Sequence, residues 1–146
     1  MTLNPDFSEF VRLLNKHEVR FLVVGGYAVA FHGHPRYTKD LDLWIEPDAL
    51  NAERLLSALE AFGFGSVGLE VDDFLQPGRV VQLGRPPARI DLINRLKGVE
   101  FEASYHARVV AHIEGVGVPF IDLESLKRNK RALDRNQDRA DLEALK

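Results

Sequence analysis

An α/β fold, α+β in stricter usage, is what the sequence predicts: a small mixed β-sheet flanked by helices, with a C-terminal helical pair. Three observations carry this. Short β-branched or alternating runs interleave with longer stretches whose apolar residues recur at helical spacing. The 146 residues can enclose one hydrophobic core, and 45% hydrophobic with 28% charged residues is ordinary for a globular chain. No repeat, low-complexity tract or linker-like stretch divides the sequence, so it reads as one domain over residues 1–146, with a sheet-containing core at 1–121 and helices at 122–146.

Taken in order, Asn4 or Asp6 is placed to cap a first helix with Phe7, Phe10, Val11 and Leu14 at helical spacing. "VRFLVV", Val19–Val24, reads as a buried strand ending at Gly25 and Gly26. "YAVAFHG" is a short helix stopped by Gly33 and Pro35. "DLDLWIE" alternates as a strand does and is halted by Pro47. A helix capped by Asp48 carries Leu55, Leu56, Leu59 and Phe62 on one face and ends at Gly63. "RVVQL" and "ARIDLIN" form a hairpin across "GRPP". Arg108–Ile113 and "VGVPFI" are expected as short edge strands. Two helices close the chain, with Asp122 and Asn136 as N-caps.

The composition excludes several classes. With no cysteine, disulfides and thiolate metal sites are out, and a reducing compartment is expected. The N-terminus shows no basic segment followed by an apolar one, and no apolar run approaches the roughly 20 residues that cross a bilayer. A cytoplasmic protein with no membrane partner is expected. A formal net charge of −3 argues against broad adhesion to nucleic acid or anionic lipid, but leaves room for a local basic site.

Asp40 and Asp42 stand one residue apart on a predicted strand, facing the same way with Cα atoms about 6.6 Å apart. Leu41, Leu43 and Ile45 take the opposite face, toward the core. Two carboxylates so placed can share a divalent cation or bracket a pair of them. Mg²⁺, a hard ion that prefers oxygen, suits them. Asp91, within the otherwise apolar "ARIDLIN", adds a third acid if its strand lies beside that of Asp42. Two metals held this way stabilise attacking and leaving oxygens in phosphoryl transfer. Taken alone, the same alternation more often describes carboxylates that solvate the outer face of a strand. The glycines tip the balance, because a strand that ends in Gly25–Gly26 and opens into a helix lets phosphate approach backbone N–H groups. Neither a dinucleotide fingerprint nor a Walker loop is present, so metal ions on the acids would meet the phosphate charge.

The stretch "VVGGYAVAFHGHPRYTKDLDLWI" resembles the signature of the DNA polymerase β-type nucleotidyltransferase superfamily: an apolar strand, a Gly-Gly or Gly-Ser pair, a helix, then Asp-x-Asp on the next strand. Its small bacterial branch often writes Arg-x-Thr-x-Asp-apolar-Asp, which Arg36, Thr38, Asp40, Leu41 and Asp42 match position by position. Asp91 resembles that branch's third carboxylate. "DLESLKRNKRALDRNQDRADLEAL" is similar to the ending of toxin-type members, called AbiEii-like or MenT-like. The resemblance spans about Phe21 to Leu145 and is weakest between Gly65 and Gly78. It implies the nucleotidyltransferase fold, an NTP substrate, and one or two Mg²⁺ ions on Asp40, Asp42 and Asp91, with Asp91 completing a second metal site or acting as base. Gly25 and Gly26 would seat the triphosphate, with Arg36 and Thr38 beside it. A lysine of the penultimate helix, Lys127 or Lys130, would work with Asp138 or Asp141. Relatives modify RNA 3′ ends, proteins or small antibiotics, and several are the toxin or antitoxin of a two-gene pair. A tRNA or protein acceptor and a cognate antitoxin or toxin are the partners this implies.

Lys127, Arg128, Lys130, Arg131, Arg135 and Arg139 gather within thirteen positions. Cations near a helix C-terminus are favoured by its dipole without any further role. Lys130, one turn from Leu126 and Leu133, lies near the edge of the expected Leu123–Leu126–Leu133 stripe, within possible reach of phosphate. His32 and His34 flank a glycine in a turn without a second ligand pair, so no zinc site is expected. The function expected is Mg²⁺-dependent transfer of an NMP from an NTP to an acceptor hydroxyl, with Asp40, Asp42, Asp91 and Lys130 as catalytic residues. The alternative is a non-catalytic nucleotide-binding or interaction module of the same fold, and a third reading is a metal-dependent phosphohydrolase.

Overall fold

In the computed structural model, which describes residues 1–33, 37–64, 68–85 and 88–145, Asn4 starts helix α1 (Pro5–Lys16) by accepting the Asp6 N–H at 2.8 Å. Pro5 needs no intrahelical donor at that first position. Phe7, Phe10, Val11 and Leu14 are buried along one face. Strand β1 (Phe21–Val24) follows, buried at all four residues, and passes directly into helix α2 (Gly25–Phe31). The two glycines are thus the first turn of that helix rather than a loop before it.

Strand β2 (Leu41–Ile45) runs antiparallel to β1, and helix α3 (Ala49–Leu59) follows it, capped by Asp48, whose Oδ1 accepts the Asn51 N–H at 2.7 Å. A π-helical turn (Glu60–Phe64) ends α3 with Gly63 at a φ of 100°, and a 3₁₀ turn spans Val71–Phe74. The expected hairpin forms from β3 (Val80–Arg85) and β4 (Ala88–Ile93), although the prolines of its turn lie outside the described residues. Helix α4 (Phe101–His106), strands β5 (Val109–Ile113) and β6 (Val116–Phe120), and helices α5 (Leu123–Leu133) and α6 (Asn136–Ala144) complete the chain.

The six strands form one mixed sheet in the order β3-β4-β2-β1-β6-β5, with β1–β6 and β2–β4 parallel and the other pairs antiparallel. β5 is an edge strand as expected, but β6 is interior, between β1 and β5. Pro119 and Gly117 suggest an edge because proline has no N–H for a ladder. They are accommodated because β6 meets β1 at a single register pair, Val23 with Phe120, extended by the Ile121 N–H to the Val23 carbonyl at 3.0 Å.

One polar residue fastens the strand ends to a helix. Asn51 on α3 is buried; its Oδ1 accepts the Arg20 N–H at 2.7 Å, and its Nδ2 donates to the Arg20 and Glu46 carbonyls at 3.0 Å each. Those groups lie just before β1 and just after β2, so Asn51 pins the start of one strand beside the end of the other. Leu41, Leu43 and Ile45 are buried on one face of β2. Trp44, on the other, meets Phe101 of α4 edge to face with ring centroids 5.2 Å apart.

The C-terminal pair turns at Asp134, which caps α5 in the left-handed region (φ 50°). Asn136 is the first residue of α6 rather than its cap; Arg135 takes that position, and Asp138 accepts its backbone N–H at 3.1 Å. The buried face of α5 is polar as well as apolar: Ser125, Leu126, Asn129 and Lys130 are buried, while Leu123 and Leu133 are only half-buried.

Candidate active site

The carboxylates meet at one end of the sheet. Val24 pairs with Asp42 across β1 and β2, and Asp42 pairs with Asp91 across β2 and β4, so the two acids lie side by side on one face of parallel strands. Asp40 does not share this strand geometry, because β2 begins at Leu41. The chain that would pair with it has left the sheet: after Val24, β1 turns into α2. Asp40 instead reaches across to Arg89, on β4.

Arg89 binds these acids together. Its Nε donates to Asp91 Oδ1 at 3.0 Å, and its Nη2 donates to Asp40 Oδ2 at 3.0 Å and to Asp91 Oδ2 at 3.3 Å. The positive charge that two crowded aspartates require is therefore supplied by the neighbouring strand. Arg89 escapes a reading focused on acids, yet it obeys the same alternation, standing two positions before Asp91. Only the β2–β4 register brings Asp40 within its reach.

Asp42 has a strongly perturbed carboxyl. Burial pushes it up first, then the Asp91 charge and a hydrogen bond to Asp91, then Asp40; Arg89 offsets part of this, and the value comes to about 7. Near neutral pH Asp42 is thus divided between a carboxylate and an acid that donates to Asp91. Gly25 lies directly against it. Its φ is +65°, and a Cβ there would collide with Asp42 Oδ2 and sit 3.1 Å from Cγ. Glycine is required twice over, by backbone conformation and by the approach of the carboxylate. Gly26, the next residue of the turn, is buried.

The other expected site residues are distributed as follows. Thr38 is half-buried two residues before Asp40, and Arg36 lies outside the described residues. Lys127 is half-buried on α5 and makes no ion pair among the described residues. Lys130 is buried, its Nζ 3.2 Å from Asp138 Oδ1 and 3.1 Å from Asp141 Oδ2. Of the two α5 lysines, Lys130 is the one paired with Asp138 and Asp141. Tyr27, on α2, adds an aromatic group that the motif does not include: burial raises its hydroxyl, with the charges of Tyr37 and Asp40 adding to the effect.

Two clefts open on the structure, and Asp40, Asp42 and Asp91 line neither of them. One of about 830 Å³ is lined by Tyr27, Phe31, Tyr37, Thr38 and His112. The other, about 970 Å³, lies between α4, α5 and the segment after β4, with Trp44, Arg95, Lys97 and Arg128 among its walls. Trp44, in the wall of the larger, is two residues from Asp42 on the same face of β2.

Among the described residues, no three acidic or histidine side chains converge as a ready metal cage. The donor chemistry is nonetheless that of a hard divalent cation: Asp42 and Asp91 stand side by side, Asp40 reaches the arginine that also holds Asp91, and the crowding that raises Asp42 is what a bound cation would relieve.

No protein-family model and no curated protein matches this sequence. Solved structures do. An antigenic nucleotidyltransferase-like protein from Paracoccidioides brasiliensis is 20% identical with a TM-score of 0.55, over 99% of this chain and 76% of that one. A candidate nucleotidyltransferase from Thermotoga maritima is 14% identical with a TM-score of 0.62, over 94% and 88%. The chain has the nucleotidyltransferase fold. A third structure with this fold, the lincomycin-bound lincosamide antibiotic adenylyltransferase LnuA, is 13% identical with a TM-score of 0.58, over 99% of this chain and 96% of its own. In this nucleotidyltransferase fold the three acids stand at the end of the sheet where β1 gives way to α2.

Proposed function

We propose that the chain is a nucleotidyltransferase that moves a nucleoside monophosphate from an NTP to an acceptor hydroxyl. The observation that carries this is the contact of Gly25 with Asp42, beside Asp91 and Asp40, at the junction of β1 and α2. It puts a glycine turn at a helix start and three acids at one place. Asp40, Asp42 and Asp91 would hold Mg²⁺, which when bound supplies positive charge to the triphosphate and orients its oxygens. The acceptor oxygen forms a bond to the α-phosphorus as the bond to the α–β bridging oxygen breaks, and pyrophosphate leaves. The hydroxyl proton passes to a carboxylate, and Asp91 is the proposed base. Gly25 and Gly26 are proposed to seat the triphosphate through their backbone, and Arg36 and Thr38 are proposed to bind its phosphates. Lys127 is the α5 lysine proposed to meet phosphate, and Lys130 is proposed to support it by locking α5 to α6.

The acceptor is proposed to be an RNA 3′ end, a protein or a small molecule, with a cognate antitoxin or toxin as a partner. Incubating the protein with each α-labelled NTP, Mg²⁺, cell lysate and total tRNA, beside Asp42→Ala, tests the reading. Label on RNA or protein that vanishes in Asp42→Ala is the expected result. Full labelling by Asp42→Ala would sink it. One observation favours a non-catalytic module, namely that Arg89 already occupies two of the acids; metal-dependent NTP binding without label on any acceptor would support that reading instead.

A further inference from the structure

Arg89 engages both oxygens of Asp91 and one of Asp40. These belong to two of the three acids assigned above to a divalent cation. The planar guanidinium fork matches such oxygens well, so the site already contains a cation of its own. Mg²⁺ would take carboxylate oxygens directly at about 2.1 Å. A dication and a guanidinium drawing on the same few oxygens repel each other at close range. The arginine side chain and that of Asp40 are each about one-third exposed, at 30% and 33%, so the fork has solvent to move into.

The geometry points to Arg89 as an internal counter-cation that competes with the divalent ion for Asp40 and Asp91 and leaves them when the ion binds. This rests on the proposed metal site and adds what governs its occupancy. Without nucleotide, metal binds weakly because it must displace Arg89. Once displaced, the guanidinium stands beside the same acids, where a triphosphate would arrive, so nucleotide draws Arg89 away and strengthens metal binding. Arg89 is a positioning residue on this account, acting through the acids.

The test is Mn²⁺ titration without nucleotide, following free ion by electron paramagnetic resonance, on the parent protein, Arg89→Ala and Arg89→Lys. Arg89→Ala is expected to bind Mn²⁺ about tenfold more tightly, since a neighbouring positive charge is gone. Arg89→Lys, which keeps the charge but loses the fork, is expected to fall between the two, and it carries the test if Arg89→Ala does not fold. A purely structural arginine would loosen the metal when removed. Unchanged or weaker Mn²⁺ binding in the variants therefore overturns the inference. Label transfer by the parent is read separately: transfer without tightening ends the competition idea alone and leaves the proposed activity standing.

Discussion

At Asp42 the fold holds a carboxyl pushed up to about 7, chiefly by burial and then by Asp91. Its linkage to stability has a definite sign. Between the ordinary aspartate value near 3.9 and about 7, the folded chain keeps a proton that the unfolded chain has lost. Stability contributed by this residue therefore falls as pH rises through that window. Asp42→Asn removes the titration. In metal-free buffer it is expected to exceed the parent in stability above pH 7, by up to about 4 kcal/mol, with the margin closing toward pH 4. Urea midpoints at pH 5 and pH 8 check this, and a margin that does not change with pH would refute it. The acids and Gly25 are legible in the sequence because strand alternation and a glycine pair are local signals. Arg89's hold on Asp40 is not, since it depends on which strands become neighbours.

The C-terminal helical pair shows how an element can be fixed by charge rather than by an apolar stripe. Lys130, buried between Asp138 and Asp141, joins α5 to α6. Removing one partner of a buried ion network strands the others, at about 3 to 5 kcal/mol. Lys130→Met is expected to lose stability on that scale, whereas Lys127→Met, at a half-buried position, should stay within about 0.5 kcal/mol. Urea unfolding of both variants distinguishes the two lysines, and equal losses would contradict the assignment. Helical spacing places Lys130 near the edge of the stripe and leaves Lys127 and Lys130 equal candidates for the downstream aspartates; only the packing of α6 on α5 selects Lys130 and buries it. β6 is a similar case. Its proline and glycine suit an edge strand, and only the brief pairing with β1 explains its interior place. Asn51 is also hidden from periodicity, because its partners are backbone groups, at Glu46 and, about thirty residues away, at Arg20.

For the molecule as a whole, acid stability gathers at Asp138. The hydrogen bond from Arg135 chiefly, then that from Lys130, holds its carboxyl down at about 2 against the opposing effect of burial. A depressed carboxylate stabilises the fold fully above its unfolded value and loses that contribution as pH falls toward 2. Cooperative unfolding is therefore expected between about pH 4 and pH 2, with Asp138→Asn less stable at neutral pH and less sensitive to acid. Circular dichroism across that range tests it; a parent slope matched by Asp138→Asn would locate the acid lability elsewhere. The fold class, most elements and the carboxylates were readable from local pattern. The sheet order was not, because it is set by contacts between distant segments.

That order governs when the protein becomes a protein. β1, at the centre of the sheet, gains its second neighbour only through Phe120, nearly a hundred residues after Val23. During synthesis β1 and β2 can pair early and β4 can join them, yet the inner edge of β1 stays open until β6 leaves the ribosome. Closing so long a loop is slow. A chain stalled before Val116 is thus an unfinished sheet with its most apolar strand as its border, inclined to pair with another chain in the same state.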